Sequence, residues 1–217
     1  MQTVQEAYSA YRLMPALQLH QLRVAGVGQI VSRALSREID ERHVVLACLF
    51  HDMGNIIKSD LDTFPEFSEP EGVAHWQLIK DEIIARYGAD EHAATVAIAH
   101  ELSLEEEVVR LIDGVGFGKL VQTRESTSYE QKIVEYADLR VGPHGVLTLE
   151  SRLREARGRY LARAHSDMAR LDDRFEEYLH AAHDIERQIF EGTDIGPEEI
   201  TEHGVGQLFE SLREMQI

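Results

Sequence analysis

Across 217 residues, 39 acidic side chains stand against 22 basic ones, a formal net charge of −17. That balance excludes a general binder of nucleic-acid polymers or of anionic membranes, whose phosphates are drawn to basic faces, but it leaves room for a small phosphorylated substrate held by a local cluster. A hydrophobic share of 43% is enough for a sizeable core, and 5 Pro and 15 Gly beside abundant Ala, Leu, Glu and Arg favour an all-α fold over a turn-rich β one.

No element is predicted before Pro15, and the first residues lack a basic region followed by an apolar run. A long helix follows Pro15, with Leu17, Leu19, Leu22, Val24, Val27, Ile30, Val31 and Leu35 as its apolar stripe and His20 and Arg23 within it. Gly26 and Gly28 would let a neighbour approach closely. Asp40 is the expected N-cap of a second helix, Glu41 to Met53, stopped by Gly54. Residues 60–72, with Pro65 and Pro70, read as a loop bordering a cleft. Helices are expected over about 73–87, 91–102 (Asp90 as cap; Ala93, Val96, Ala97 and His100 inward) and 105–112. The glycine-rich 113–118 is a loop, and its spacing is wrong for a dinucleotide fingerprint.

A helix from Ser128 to Val141 then carries Ile133, Val134, Ala137 and Val141, with Asp138 among them, and Gly142-Pro143 ends it. From Leu147 to Phe190 one or two charged helices have weaker apolar spacing through Leu153, Tyr160, Leu161, Met168, Leu171, Phe175, Leu179 and Ile189. After a break at 192–197 comes a short amphipathic piece with Val205, Leu208, Phe209 and Leu212. We divide the chain into a helical domain at 1–145 and a helical extension at 146–217, packed on the core or on a second subunit, so a homodimer stays open. The lone Cys48 excludes an internal disulfide and fits a reducing compartment, and no uncharged stretch approaches about 18 residues; the expected location is the cytoplasm.

The chemistry concentrates at His51-Asp52, which closes the apolar run from Val44 to Phe50. Polar groups in such a place must be paired or metal-bound. The same dipeptide at His183-Asp184 lies in a strongly charged stretch and reads as a solvated helix face. Further ligand-type residues stand on the apolar faces of other elements: His20, the pair His75 and His100, and Asp138. His92 is read as structural or exposed, and His43, His144, His165, His180, His183 and His203 as non-ligands.

The order His20, His51-Asp52, Asp138, in the settings Leu19-His20-Gln21-Leu22-Arg23, Phe50-His51-Asp52-Met53-Gly54-Asn55 and Tyr136-Ala137-Asp138-Leu139, resembles the HD superfamily of metal-dependent phosphohydrolases. The resemblance covers roughly residues 14–142 and implies an HD-like helical bundle. It makes His20, His51, Asp52 and Asp138 the metal ligands. Two-metal members have two intervening His ligands, which His75 and His100 would match. No His-His doublet and no Gly-Tyr-Pro triplet follows, which speaks against the cyclic dinucleotide phosphodiesterases defined by those motifs.

Imidazoles mixed with carboxylates suit one or two ions of Fe, Mn, Zn, Co or Ni, whereas Mg prefers nearly all-oxygen sites. With two ions, Asp52 would bridge them. Such an ion acidifies its water towards a pKa of about 7, so the hydrolysis of a nucleotide or another small phosphate ester that the resemblance implies needs no side-chain nucleophile. Arg23, one turn from His20, and Lys58, just after the His-Asp loop, are the candidate phosphate contacts; Lys119 and Arg140 read as surface or ion-pair residues. An HD-like di-iron oxygenase and a non-catalytic nucleotide-sensing module are the competing readings.

Overall fold

The structure is a computed structural model that describes residues 2–163 and 168–217, and side chains outside 159–173. The positions Tyr160, Leu161, Met168, Leu171 and His165 lie outside the described side chains. The fold is all-α apart from one two-residue hairpin.

Helix α1 spans Val4–Ala10 and was not anticipated, although Thr3-x-x-Glu6 carries its start signal. Glu6 N–H donates to the Thr3 hydroxyl at 3.1 Å, and Thr3 N–H donates to the Glu6 carboxylate at 2.7 Å. This reciprocal box satisfies two backbone donors that a helix start leaves unpaired. Helix α2, Pro15–Ala34, begins with Pro at its first turn, where no N–H is needed. Helix α3, Glu41–Phe50, is capped by Asp40, whose carboxylate accepts from His43 N–H at 2.9 Å. It ends three residues before the expected Met53, and a turn over residues 51–54 leads into a 3-10 segment, Asn55–Lys58.

Helices α4 (Val73–Tyr87), α5 (Glu91–Glu101) and α6 (Glu106–Asp113) follow in the expected order. A short α7, Leu120–Glu125, fills a stretch to which no element had been assigned. Helix α8 is Tyr129–Leu139, capped by Ser128, whose hydroxyl accepts from Gln131 N–H at 3.1 Å. Gly142 then pairs with Gly145 in the hairpin β1 (Val141–Gly142) and β2 (Gly145–Val146), so the chain turns where only a helix stop was expected. The C-terminal part comprises α9 (Leu149–Arg163), α10 (Met168–Phe190), α11 (Glu202–Gly206) and α12 (Phe209–Glu214).

At the centre, α2 packs against α3 and α8. The approach of α2 to α3 depends on Gly28, where a Cβ would come within 2.9 Å of Cys48 Sγ; on another face of α2, a Cβ at Gly26 would meet Val205 of α11 at 2.7 Å. All seven residues from Val44 to Phe50 are buried. Burying each large apolar side chain among them is worth roughly 1.5–3 kcal/mol, which anchors the end of α3 firmly. Residues of the C-terminal part, including Ala182, Ile185, Ile189 and Leu212, join this same core.

A buried arginine clasps the two parts together. Arg140 donates to the Tyr136 hydroxyl and to the backbone carbonyls of Leu147, Pro197 (3.2 Å) and Ile200 (3.3 Å). A second apolar cluster, Met14, Ile56, Ile57, Leu61, Trp76, Ile79, Ile83 and Ala94, sets α4 and the start of α5 under the 3-10 segment. No helix among the described residues is long and apolar enough to cross a membrane.

Candidate metal centre

Because α3 stops at Phe50, His51 and Asp52 leave the regular helix on a turn. Adjacent residues of a helix point about 100° apart, but on this turn both side chains reach one place. His20 arrives there from α2 and Asp138 from the last turn of α8. One potential ligand atom from each of His20, His51 and Asp52 lies within 4.8 Å of the other two. Asp138 completes the group: its Oδ1 is 3.2 Å from His20 Nε2 and 3.4 Å from His51 Nε2. Asp52 Oδ2 stands 3.6 and 3.7 Å from the same two nitrogens.

These side chains are oriented from behind. His51 Nδ1 bonds the Cys48 carbonyl at 2.9 Å, which makes Nδ1 the protonated nitrogen and turns Nε2 into the site. Asn55 Nδ2 donates to Asp52 Oδ2 at 2.6 Å, and Asp52 N–H donates to Gln21 Oε1 at 3.4 Å. The turn itself is pinned by Gly54 N–H, which donates to Thr95 Oγ1 at 2.9 Å, and a Cβ on Gly54 would strike Glu91 O at 2.4 Å. Gln21, Asn55 and Thr95 were not picked out from the sequence. Asn55 had a local signal, a carboxamide three residues past Asp52 on the same turn. Gln21 and Thr95 had none, because ordinary polar residues on helices gain this role only through packing.

Burial opposes protonation of His51, but the neighbouring Asp52 and Asp138 carboxylates outweigh it and push its pKa up to about 9. Burial would likewise raise Asp138, yet the two imidazoles hold its carboxyl well below the usual carboxylate range. Glu135, one turn before Asp138, is buried and pushed up to about 7 by loss of water, although it accepts from Gly116 N–H at 2.9 Å.

The donor set fits a divalent cation. Nε2 of His20 and Nε2 of His51 are both buried and neither forms an aligned hydrogen bond. Buried polar atoms of this kind are rare and call for a partner. Two imidazole nitrogens and two carboxylates aimed at one point supply that partner's coordination.

The other candidates stand elsewhere. His75 is exposed and lies edge-on to Trp76 at 5.0 Å, because α4 turns Trp76, Ile79 and Ile83 inward. His100 is also exposed, 3.9 Å from Glu106. Helix α5 buries Ala94, Thr95, Ile98 and Ala99, the face opposite the expected inward one of Ala93, Val96, Ala97 and His100. Of the six residues expected as ligands, four meet in this cluster, and His75 and His100 are exposed. Lys58 is half exposed, pairs with Glu91 at 3.3 Å and lines a separate cleft with Asp60, Gln77 and Lys80. Arg23 is held at the site's edge by Glu202 of α11, whose Oε1 accepts from Nε at 2.8 Å and lies 2.7 Å from Nη2. Arg140 serves the clasp, Lys119 bonds the Asp113 carbonyl, and His92 pairs with Asp113 at 3.0 Å.

A family model for the HD domain matches residues 18–140, more than half of the chain. The chain belongs to the HD domain family. The match begins just ahead of His20 and ends just past Asp138, so the four gathered residues span nearly all of it. Neither the curated proteins nor the solved structures give a match. For this HD domain, family and geometry agree on a His/Asp cluster that could hold a divalent metal.

Proposed function

We propose that the protein is a metal-dependent phosphohydrolase that cleaves a nucleotide or another small phosphate ester, using one divalent ion held by His20, His51, Asp52 and Asp138. The observation that carries this reading is the pair of buried Nε2 atoms, neither in an aligned hydrogen bond, facing two carboxylates one helical turn from Arg23. Two nitrogen and two oxygen donors suit Mn, Fe, Co, Ni or Zn better than Mg. When bound, such an ion supplies Lewis acidity towards a phosphoryl group and towards water.

The chain's own residues do the rest. The Cys48 carbonyl fixes which His51 nitrogen is presented, and Asn55 fixes the rotation of the Asp52 carboxylate. Arg23 is placed to bind a phosphoryl oxygen: it spends two N–H groups on Glu202 and keeps the remainder of its five-donor fork for a ligand. The overall change is cleavage of a phosphorus–oxygen bond, with water oxygen on phosphorus and a proton on the departing alcohol. An acidic protein surface repels a polymer of phosphates, so a small substrate is favoured. A di-iron oxygenase would draw on His75 and His100 as further ligands, and both are exposed.

Metal analysis of protein purified without chelator, followed by a phosphate-release screen over nucleoside mono-, di- and triphosphates with Mn, Co, Ni, Fe or Mg, tests the reading. We expect one ion per chain and turnover that is lost in Asp52→Ala and Asp138→Asn. Silence of the loaded protein across the panel, or turnover surviving both variants, would remove it.

A further inference from the structure

A cleft of about 200 Å³ shares Arg23 with the edge of the metal site; none of the four ligands lines it, and its lining is chemically mixed. Leu19 and Arg23 flank His20 on α2, and Pro143 lies in the hairpin turn shortly after Asp138. The opposite wall is the 3-10 segment Pro65–Ser68, which supplies Phe67 and Glu66, with Glu69 just beyond. The Arg23 end is cationic and the outer end carries two carboxylates.

Phe67 is not spent on the core. Neither it nor Phe64 packs into either apolar cluster of the described residues. Instead the two rings stand 5.1 Å apart and both meet the His144 ring, at 5.7 Å from Phe64 and 5.5 Å from Phe67. Phe67, a half-buried aromatic that contributes to neither core cluster and lines the cleft that Arg23 also lines, offers a stacking surface there. The volume limits what enters: small-molecule sites for drug-sized ligands run roughly 300–1,000 Å³, so about 200 Å³ accepts one ring and not a dinucleoside. Glu66 and Glu69 repel further phosphates at the outer end but accept hydrogen bonds from hydroxyl or amino groups.

We propose that this cleft is the leaving-group subsite of the centre, and that it selects a phosphate monoester whose alcohol portion carries one single-ring, donor-bearing base that stacks on Phe67, against polyphosphate and two-base substrates. It rests on the hydrolase reading for its chemistry, though not for its binding. The probes are uridine 5′-monophosphate, its triphosphate and glycerol phosphate with the Mn-loaded protein.

Wild type should prefer the monophosphate to the triphosphate in kcat/KM by at least about tenfold. Phe67→Ala should raise KM for the monophosphate by roughly tenfold, the loss of one ring stack, with kcat within about twofold and glycerol phosphate unaffected. Phe67→Trp should restore it, and the Glu66→Gln/Glu69→Gln pair should narrow the gap to the triphosphate. Equal effects of Phe67→Ala on ringed and ringless esters, or a wild-type preference for the triphosphate, would overturn the assignment. Calorimetric binding of the monophosphate to wild type and Phe67→Ala separates the two failures. Phe67-dependent binding without hydrolysis of any ester removes the hydrolase and leaves the subsite, whereas hydrolysis with Phe67-independent binding removes the subsite alone.

Discussion

Asn55 donates to Asp52 Oδ2 across 2.6 Å, within a single turn of backbone, and so sets the direction in which that carboxylate faces His20 and His51. Partners behind metal ligands typically account for 10–100-fold in affinity. Asn55→Ala should therefore weaken Mn or Co binding by about that factor while the melting temperature of the metal-free protein stays within a few degrees. Unchanged affinity in a competition titration would show that Asp52 does not need its neighbour.

Metal binding should release a proton. His51 titrates near 9 in the metal-free protein, so it is charged at pH 7 and must become neutral to accept an ion. Affinity should climb by up to about tenfold per pH unit and flatten above about 9. Calorimetry at pH 7 in two buffers of different ionisation enthalpy would count the proton; buffer-independent heats would contradict it. The sign for stability follows from the same group. A pKa raised from 6.5 to about 9 stabilises the metal-free fold fully below about 6.5, and that contribution disappears as pH rises through about 9.

Glu135 works in the same direction for a different cause. Its pKa is raised from 4.5 to about 7 by burial, so the folded state favours its protonated form, and stability present below about 4.5 is lost as pH rises through about 7. At roughly 1.4 kcal/mol per unit, the loss between pH 4.5 and pH 8 is on the order of 2–3 kcal/mol. Glu135→Gln keeps an acceptor for Gly116 N–H and removes the titration. Urea unfolding of the metal-free proteins should show the variant ahead at pH 8 and level at pH 4.5.

Arg140→Ala should cost about 3–5 kcal/mol, because it strands buried acceptors on Leu147, Pro197 and Ile200 at once. Since those carbonyls belong to the hairpin exit and the segment before α11, limited proteolysis should cut first after residue 190. A loss below about 1 kcal/mol would mean that the C-terminal part is held by its apolar contacts alone.

Much of this site was legible before any coordinates. His51-Asp52 stood out because a charged pair closes seven apolar residues, and His183-Asp184 was discounted because its surroundings are solvated; the structure places His183 at the surface beside Glu150, 3.8 Å away. Gly28 was legible as a contact point, since a residue without Cβ inside an apolar stripe has few other uses. His75 and His100 were expected as ligands, and the structure leaves both exposed. Helix α5 buries the face opposite the one expected for it, because alanine stands on both faces and does not fix the phase.

Local periodicity, caps and composition determined the all-α class, most helix starts and the order of the four ligands, because each depends on residues within a turn or two of one another. Tertiary structure alone decided where α3 lets go, which histidines share a point in space, and that Glu202, 179 residues away from Arg23, holds its guanidinium at 2.8 Å. It also decided that Phe67 and His144 meet, with ring centroids 5.5 Å apart. The division has a physical basis: hydrogen bonds and apolar stripes along a helix are short-range and leave a periodic trace in the chain, whereas the convergence of side chains from separate helices is set by packing, which carries no fixed spacing.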